Sequence, residues 1–171
     1  MSLSLGELAN IRNNMQHKLI RIFIYSAGLL LLTTSIAKLV SANGSARILQ
    51  NIDPILSISF GHVFVIVGVF ELIVTAVCFF SNRVGLQAGL IAWLATNFLI
   101  YRLGLFLVGY HKPCSCLGNL TDALHIPPQT ANTVMKIILA YLLIGSYATL
   151  FWLWCQRKKA ITTSLPRNEM A

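Results

Sequence analysis

The sequence is short of charge. Of its 171 residues only 11% are Asp, Glu, Lys or Arg, and only five are acidic. A soluble domain carries about a quarter charged residues. This shortage excludes a soluble globular enzyme and a disordered tail. Four cysteines are too few for the disulfide framework of a small secreted domain. No repeat with a period of roughly 20–50 residues is visible, nor any low-complexity tract. The alternating segments of about ten residues that mark a membrane barrel are also absent. What the chain has in abundance is apolar surface: 56% of residues are hydrophobic and the mean hydropathy is +0.72. That composition describes a small integral membrane protein. The net charge of +8 does not point to nucleic acid, because the cations flank apolar runs, where they report topology and lipid contact.

Four apolar runs are long enough to cross a bilayer, which takes about 20 helical residues. They cover residues 19–40, 60–80, 84–108 and 134–155. In lipid the backbone must satisfy its own hydrogen bonds, so each run is expected to be a helix. The fold expected is an all-α bundle of four transmembrane helices over residues 19–155. A polar segment, 1–18, precedes it with one short interfacial helix, and a basic, frayed tail, 156–171, follows it. Ser81-Asn82-Arg83 is short enough to make spans two and three a tight hairpin. The first run is longer than a signal-peptide core and carries Lys38 near its end. It is therefore expected to remain as a span, although Gly44-Ser45-Ala46 resembles a cleavage site.

Lys and Arg set the expected orientation. Eight of them (Arg12, Lys18, Arg21, Arg83, Arg157, Lys158, Lys159, Arg167) fall on one side and four (Lys38, Arg47, Lys112, Lys136) on or near the other, with Arg102 inside the third span. The richer side is expected to be cytoplasmic, which places both termini there. The 41–59 and 109–133 connections then face outward.

The second of these connections reads Tyr110-His111-Lys112-Pro113-Cys114-Ser115-Cys116-Leu117-Gly118. Two cysteines one residue apart can close only a small, strained ring. Strained, exposed disulfides are the labile and catalytic ones, whereas a structural staple gains more from closing a long loop. Lys112 adjoins the pair, and Lys38, Arg102 and Lys136 are expected near the same face. Positive charge there favours the thiolate, the attacking species. The competing reading is that Lys38, Arg102 and Lys136 only snorkel to the interface. Arg102 sits deeper than snorkelling requires. A zinc site built from His111, Cys114, Cys116 and His125 is disfavoured, because paired zinc cysteines are usually separated by two to four residues, and no metal is expected. Cys78 and Cys155 are expected to be small packing residues near the opposite face.

Glu71 lies near the middle of the second span, where a carboxylate is costly and usually functional. Counting from the inner span ends puts Leu29, Leu94 and Ser146 at its depth, with Ser146 or Tyr147 as expected hydrogen-bond partners and a direct Arg102 pair disfavoured. Glu71 would handle a proton or hydrogen-bond a quinone, or else lock helix packing. The hairpin would also bring Glu71 beside Trp93 as walls for a planar cofactor. Gly61, Gly68, Gly85, Gly89, Gly104 and Gly145 are expected to permit close helix contact.

These features together resemble a known family. Ala27-Gly28-Leu29, Ala37-Lys38-Leu39, Gly68-Val69-Phe70-Glu71-Leu72 and Pro113-Cys114-Ser115-Cys116-Leu117-Gly118 look like the DoxX-like superfamily, with the methylamine-utilisation MauE type as its closest branch. The family usually has Phe at the position of Leu117 and often Gly at that of Ser115; neither change removes a thiol. The resemblance implies a membrane protein tied to disulfide handling beside a periplasmic thioredoxin-like partner, with Cys114 and Cys116 as the redox pair. The expected function is thus thiol–disulfide exchange at the outer face of a bacterial inner membrane. Electrons would pass to or from a quinone or a soluble partner, with Glu71, Arg102, Lys38 and Lys112 in support. Whether the chain is itself an enzyme stays open. The alternative is a non-catalytic accessory or assembly subunit of a larger membrane complex. A small transporter with Glu71 as its proton site is a weaker third reading.

Overall fold

The computed structural model describes residues 5–42, 58–109 and 128–164. Four helices account for nearly all of them: α1 (Leu5–Ala42), α2 (Phe60–Phe80), α3 (Val84–Leu107) and α4 (Pro128–Ser164). Each contains a stretch long and apolar enough to span a bilayer, at residues 14–42, 61–80, 84–107 and 132–158. The fold is all-helical, as the composition requires.

Two helices run beyond the spans read from hydropathy. α1 is continuous from Leu5 into its span, so the expected separate interfacial helix is part of one rod. No proline or glycine interrupts residues 7–27, leaving nothing to break the helix. α4 continues through the basic stretch to Ser164, where a frayed tail was expected. It opens on Pro128, whose fixed φ and missing N–H suit the first helical position.

The helices alternate in direction. Ser35 lies against Gly68 and Gly28 against Cys78, so α1 and α2 are antiparallel. Likewise Arg102 meets Asn132 while Gly85 lies under Leu153, so α3 and α4 are antiparallel. α1 packs chiefly on α2, and α3 on α4. A shared core drawn from all four helices joins the two pairs: Ile24, Ala27 and Leu31; Val74 and Cys78; Ile91, Leu94 and Ala95; and Leu142.

The exterior is apolar and part of the interior is polar, the arrangement that lipid selects. Phe80, Leu107 and Ile144 are strongly exposed, whereas Thr34, Ser35, Lys38, Glu71, Thr75, Gln87, Ser146 and Thr149 are buried. The turn after α2 shows how a buried amide is tolerated. Gln87 Nε2 donates to the carbonyls of Cys78 (3.0 Å) and Ser81 (2.6 Å). These belong to the helix end that has no following turn to bond.

Small residues admit close contact at some sites and not at others. The ring of Phe23 occupies the space that a side chain on Gly145 would fill. Leu39 lies 3.1 Å from where a Cβ on Gly68 would stand. Gly89 faces open space instead, with nothing within 4 Å, so it does not serve the close contact expected of it.

Candidate functional site

The polar centre of the bundle is an ion pair between the first two helices. Lys38 Nζ of α1 bonds Glu71 Oε1 of α2, and the two residues are 5% and 1% exposed. Thr34, one turn before Lys38 on the same face of α1, shares its one hydroxyl hydrogen between Glu71 Oε2 at 3.3 Å and the Leu31 carbonyl at 3.1 Å. Ser35 donates to the Gly68 carbonyl at 2.8 Å, one turn along α2 from Glu71. α3 closes the pocket around the ammonium: Lys38 Nζ stands 4.9 Å from the centroid of the Phe98 ring. Thr75, one turn from Glu71 in the other direction, is buried, and its hydroxyl finds no hydrogen-bond partner among the described residues.

A buried charge is tolerable only when paired and hydrogen-bonded. Both carboxylate oxygens of Glu71 accept a bond, and the ammonium of Lys38 gains both a counter-ion and an aromatic face. The snorkelling alternative for Lys38 is therefore corrected: the side chain turns inward, along the helix interface, rather than out to the headgroups.

Three expectations about Glu71 are also corrected. Its partners are Thr34 and Lys38, whereas Ser146 donates to the Leu143 carbonyl and Tyr147 pairs with Thr96. The residues level with Glu71 on α1 are Thr34 and Ser35 rather than Leu29. The count from hydropathy began at Leu19, but Tyr25 already stacks on Phe79 at the far end of α2, so the true register is displaced by more than a turn. Glu71 and Trp93 do not share a wall either. Glu71 faces α1, while half-exposed Trp93 meets Phe70, the preceding residue on α2, with ring centroids 6.2 Å apart.

Arg102 forms a second, smaller polar link. It lies near the end of α3, half-buried, and donates to Asn132 Oδ1 of α4. It joins the second helix pair much as Lys38 joins the first, and the two links are separate. Lys136 is exposed on α4. His62, exposed at the start of α2, has its Nδ1 2.6 Å from Ser59 Oγ. Cys78 is buried in the shared core and Cys155 is half-buried; both are free thiols. Cys114, Cys116, Lys112, His111 and His125 lie outside the described residues. Among the described residues no group of three or more His, Cys, Asp or Glu could hold a metal ion.

The residues missed in the sequence were the uncharged partners: Thr34, Ser35, Thr75, Phe98, Asn132 and Gln87. One signal was available. Thr33-Thr34-Ser35 is a run of three hydroxyl residues in an otherwise apolar span, and Thr34 stands four residues from Lys38, a spacing that puts both on one helix face.

The sequence model of the family described as "Methylamine utilisation protein MauE" matches residues 16–154. The match therefore takes in the second and third spans, nearly all of the first and fourth, the Lys38–Glu71 pair and both cysteines of the α3–α4 connection. No curated protein and no solved structure matches the chain.

Proposed function

This chain belongs to the methylamine utilisation protein MauE family, and on that premise we propose that it performs thiol–disulfide exchange in the service of methylamine utilisation, with Cys114 and Cys116 as its redox pair. The observation that carries this reading is the spacing of these cysteines, one residue apart in the connection between α3 and α4. A ring closed over so short a span is strained, and strain makes a disulfide easy to exchange.

The exchange runs in two steps. In the oxidising direction a partner thiolate attacks one sulfur of the Cys114–Cys116 disulfide, whose S–S bond breaks as a mixed disulfide forms. The partner's second thiolate then attacks its own sulfur in that mixed disulfide, closing the partner's disulfide and leaving both cysteines as thiols. Two electrons pass from partner to chain. The reverse sequence reduces the partner. A thioredoxin-like protein has the paired thiols this chemistry needs. Lys38–Glu71 and Arg102–Asn132 act as positioning residues that hold the helices from which the connection emerges.

The location proposed is a bacterial inner membrane, and the asymmetry of Lys and Arg supports both termini being cytoplasmic and the cysteine pair facing the periplasm. The test is a trap in cells. Cys116→Ser should accumulate a covalent adduct with a partner that disappears on reduction, and either serine variant should lose growth on methylamine. Full growth of the Cys114→Ser/Cys116→Ser double variant would overturn the proposal.

A second reading is favoured by the closed geometry of the Lys38–Glu71 pair, whose charges satisfy each other rather than face a substrate. In that reading the chain is an accessory subunit of a larger membrane complex and the cysteine pair only shapes its loop. Survival of the serine variants would then accompany failure of variants that disturb helix packing.

A further inference from the structure

The end of the bundle that carries the start of α1, the α2–α3 turn and the end of α4 is ringed by exposed cations. Lys18 and Arg21 are exposed on α1, Arg83 in the turn, and Arg157 and Lys158 on α4. They lie in the end turns of the apolar stretches of α1 and α4 and just after that of α2. Tyr25 stacks on Phe79, so Arg21, four residues toward the N-terminus, is about 6 Å beyond that contact. Arg83 follows Phe80, which is 86% exposed. Leu153 lies over Gly85, so Arg157, four residues on, is displaced by a similar turn.

Indole rings mark the same level. Trp152 donates from Nε1 to Gln16 Oε1 at 2.8 Å and meets the edge of His17. Lys158 Nζ stands 3.8 Å from the centroid of the Trp154 ring. Tryptophan at the end of an apolar span is an interfacial anchor, so these cations sit at headgroup height. Glu71, the one acidic residue whose side chain is described, pairs with Lys38 within the bundle rather than with Arg21, Arg83 or Arg157.

We propose that the belt binds the phosphates of anionic phospholipid headgroups in the leaflet at this end of the bundle. Arginine presents a planar fork of N–H donors that matches a phosphate, and Arg21, Arg83 and Arg157 offer one from α1, from the α2–α3 turn and from α4. A zwitterionic headgroup answers its own phosphate with an ammonium and satisfies the belt poorly. The inference is independent of the thiol chemistry.

The test uses the purified full chain in neutral detergent, with thermal stability measured after adding phosphatidylglycerol, phosphatidylcholine or inorganic phosphate. Phosphatidylglycerol should raise the midpoint, and the other two should leave it unchanged. The Arg21→Gln/Arg83→Gln/Arg157→Gln variant should lose that rise, each removed charge weakening the apparent lipid affinity roughly five-fold. Should the triple variant fail to fold, the wild-type chain in about 1 M salt, where the Debye length is about 3 Å, should lose the same preference. An equal rise with phosphatidylcholine, the same rise with inorganic phosphate, or a preference that survives both the variant and the salt would overturn the proposal.

Discussion

Lys38 and Glu71 form a buried ion pair that fastens α1 to α2, with Thr34 holding the second carboxylate oxygen and Phe98 covering the ammonium. Removing one partner strands the other charge where nothing compensates it. Lys38→Met and Glu71→Leu should each destabilise the folded chain by about 3–5 kcal/mol, and the double variant should recover most of the loss. Denaturant titration in detergent micelles checks this. Equal or additive losses in the double variant would show that the pair is not the unit of stability.

Thr34→Val keeps the shape of the side chain and removes one bond to Glu71. Its cost should be about 1–3 kcal/mol, the penalty for an unmet buried acceptor beside a charge. On the Glu71→Leu background the same change should cost much less, because the bond is already gone. A double-mutant cycle measures that coupling directly.

Gly145 and Gly89 should respond in opposite ways to the same substitution. A methyl at Gly145 meets the Phe23 ring, while one at Gly89 meets nothing within 4 Å. Gly145→Ala should destabilise by about 1–3 kcal/mol through overpacking, and Phe23→Leu should relieve it. Gly89→Ala should be neutral or stabilise slightly, by about 0.5–1 kcal/mol, since alanine is the better helix former. Thermal midpoints of the three variants decide the matter.

Much of the architecture was legible in the sequence because lipid leaves the backbone few choices. Four apolar runs of sufficient length mean four helices, and Ser81-Asn82-Arg83 can only be a tight turn. The ends were harder to read. Hydropathy marks where a helix becomes apolar rather than where it begins, so the polar first turns of α1 and the basic last turns of α4 were assigned to other segments. The partner of Glu71 was lost to the same error, since counting from Leu19 displaced α1 by more than a turn against α2. The charge of Lys38 is plain in the sequence. The inward direction of its side chain depends on the rotation of α1, for which the only marker in a span apolar on nearly every side is the hydroxyl run Thr33-Thr34-Ser35.

Gln87 gives a prediction about the α2–α3 hairpin. Its amide bonds carbonyls of Cys78 and Ser81 at the end of α2. Gln87→Leu leaves those acceptors unmet and should cost about 1–3 kcal/mol. Hydrogen exchange should then rise first at residues 77–81, ahead of the α1–α2 contact around Gly68. Uniform exchange across α2 would contradict a local capping role.

The redox state of Cys114 and Cys116 in intact cells tests the central claim most directly. Cells carrying Cys78→Ala and Cys155→Ala, so that only the pair can react, are treated with a membrane-impermeant maleimide before and after reduction, and the mass shift is read on a gel. The proposal predicts two labels per chain after reduction and fewer without it. Full labelling without reduction, or no labelling after it, would contradict an outward-facing pair that cycles through a disulfide.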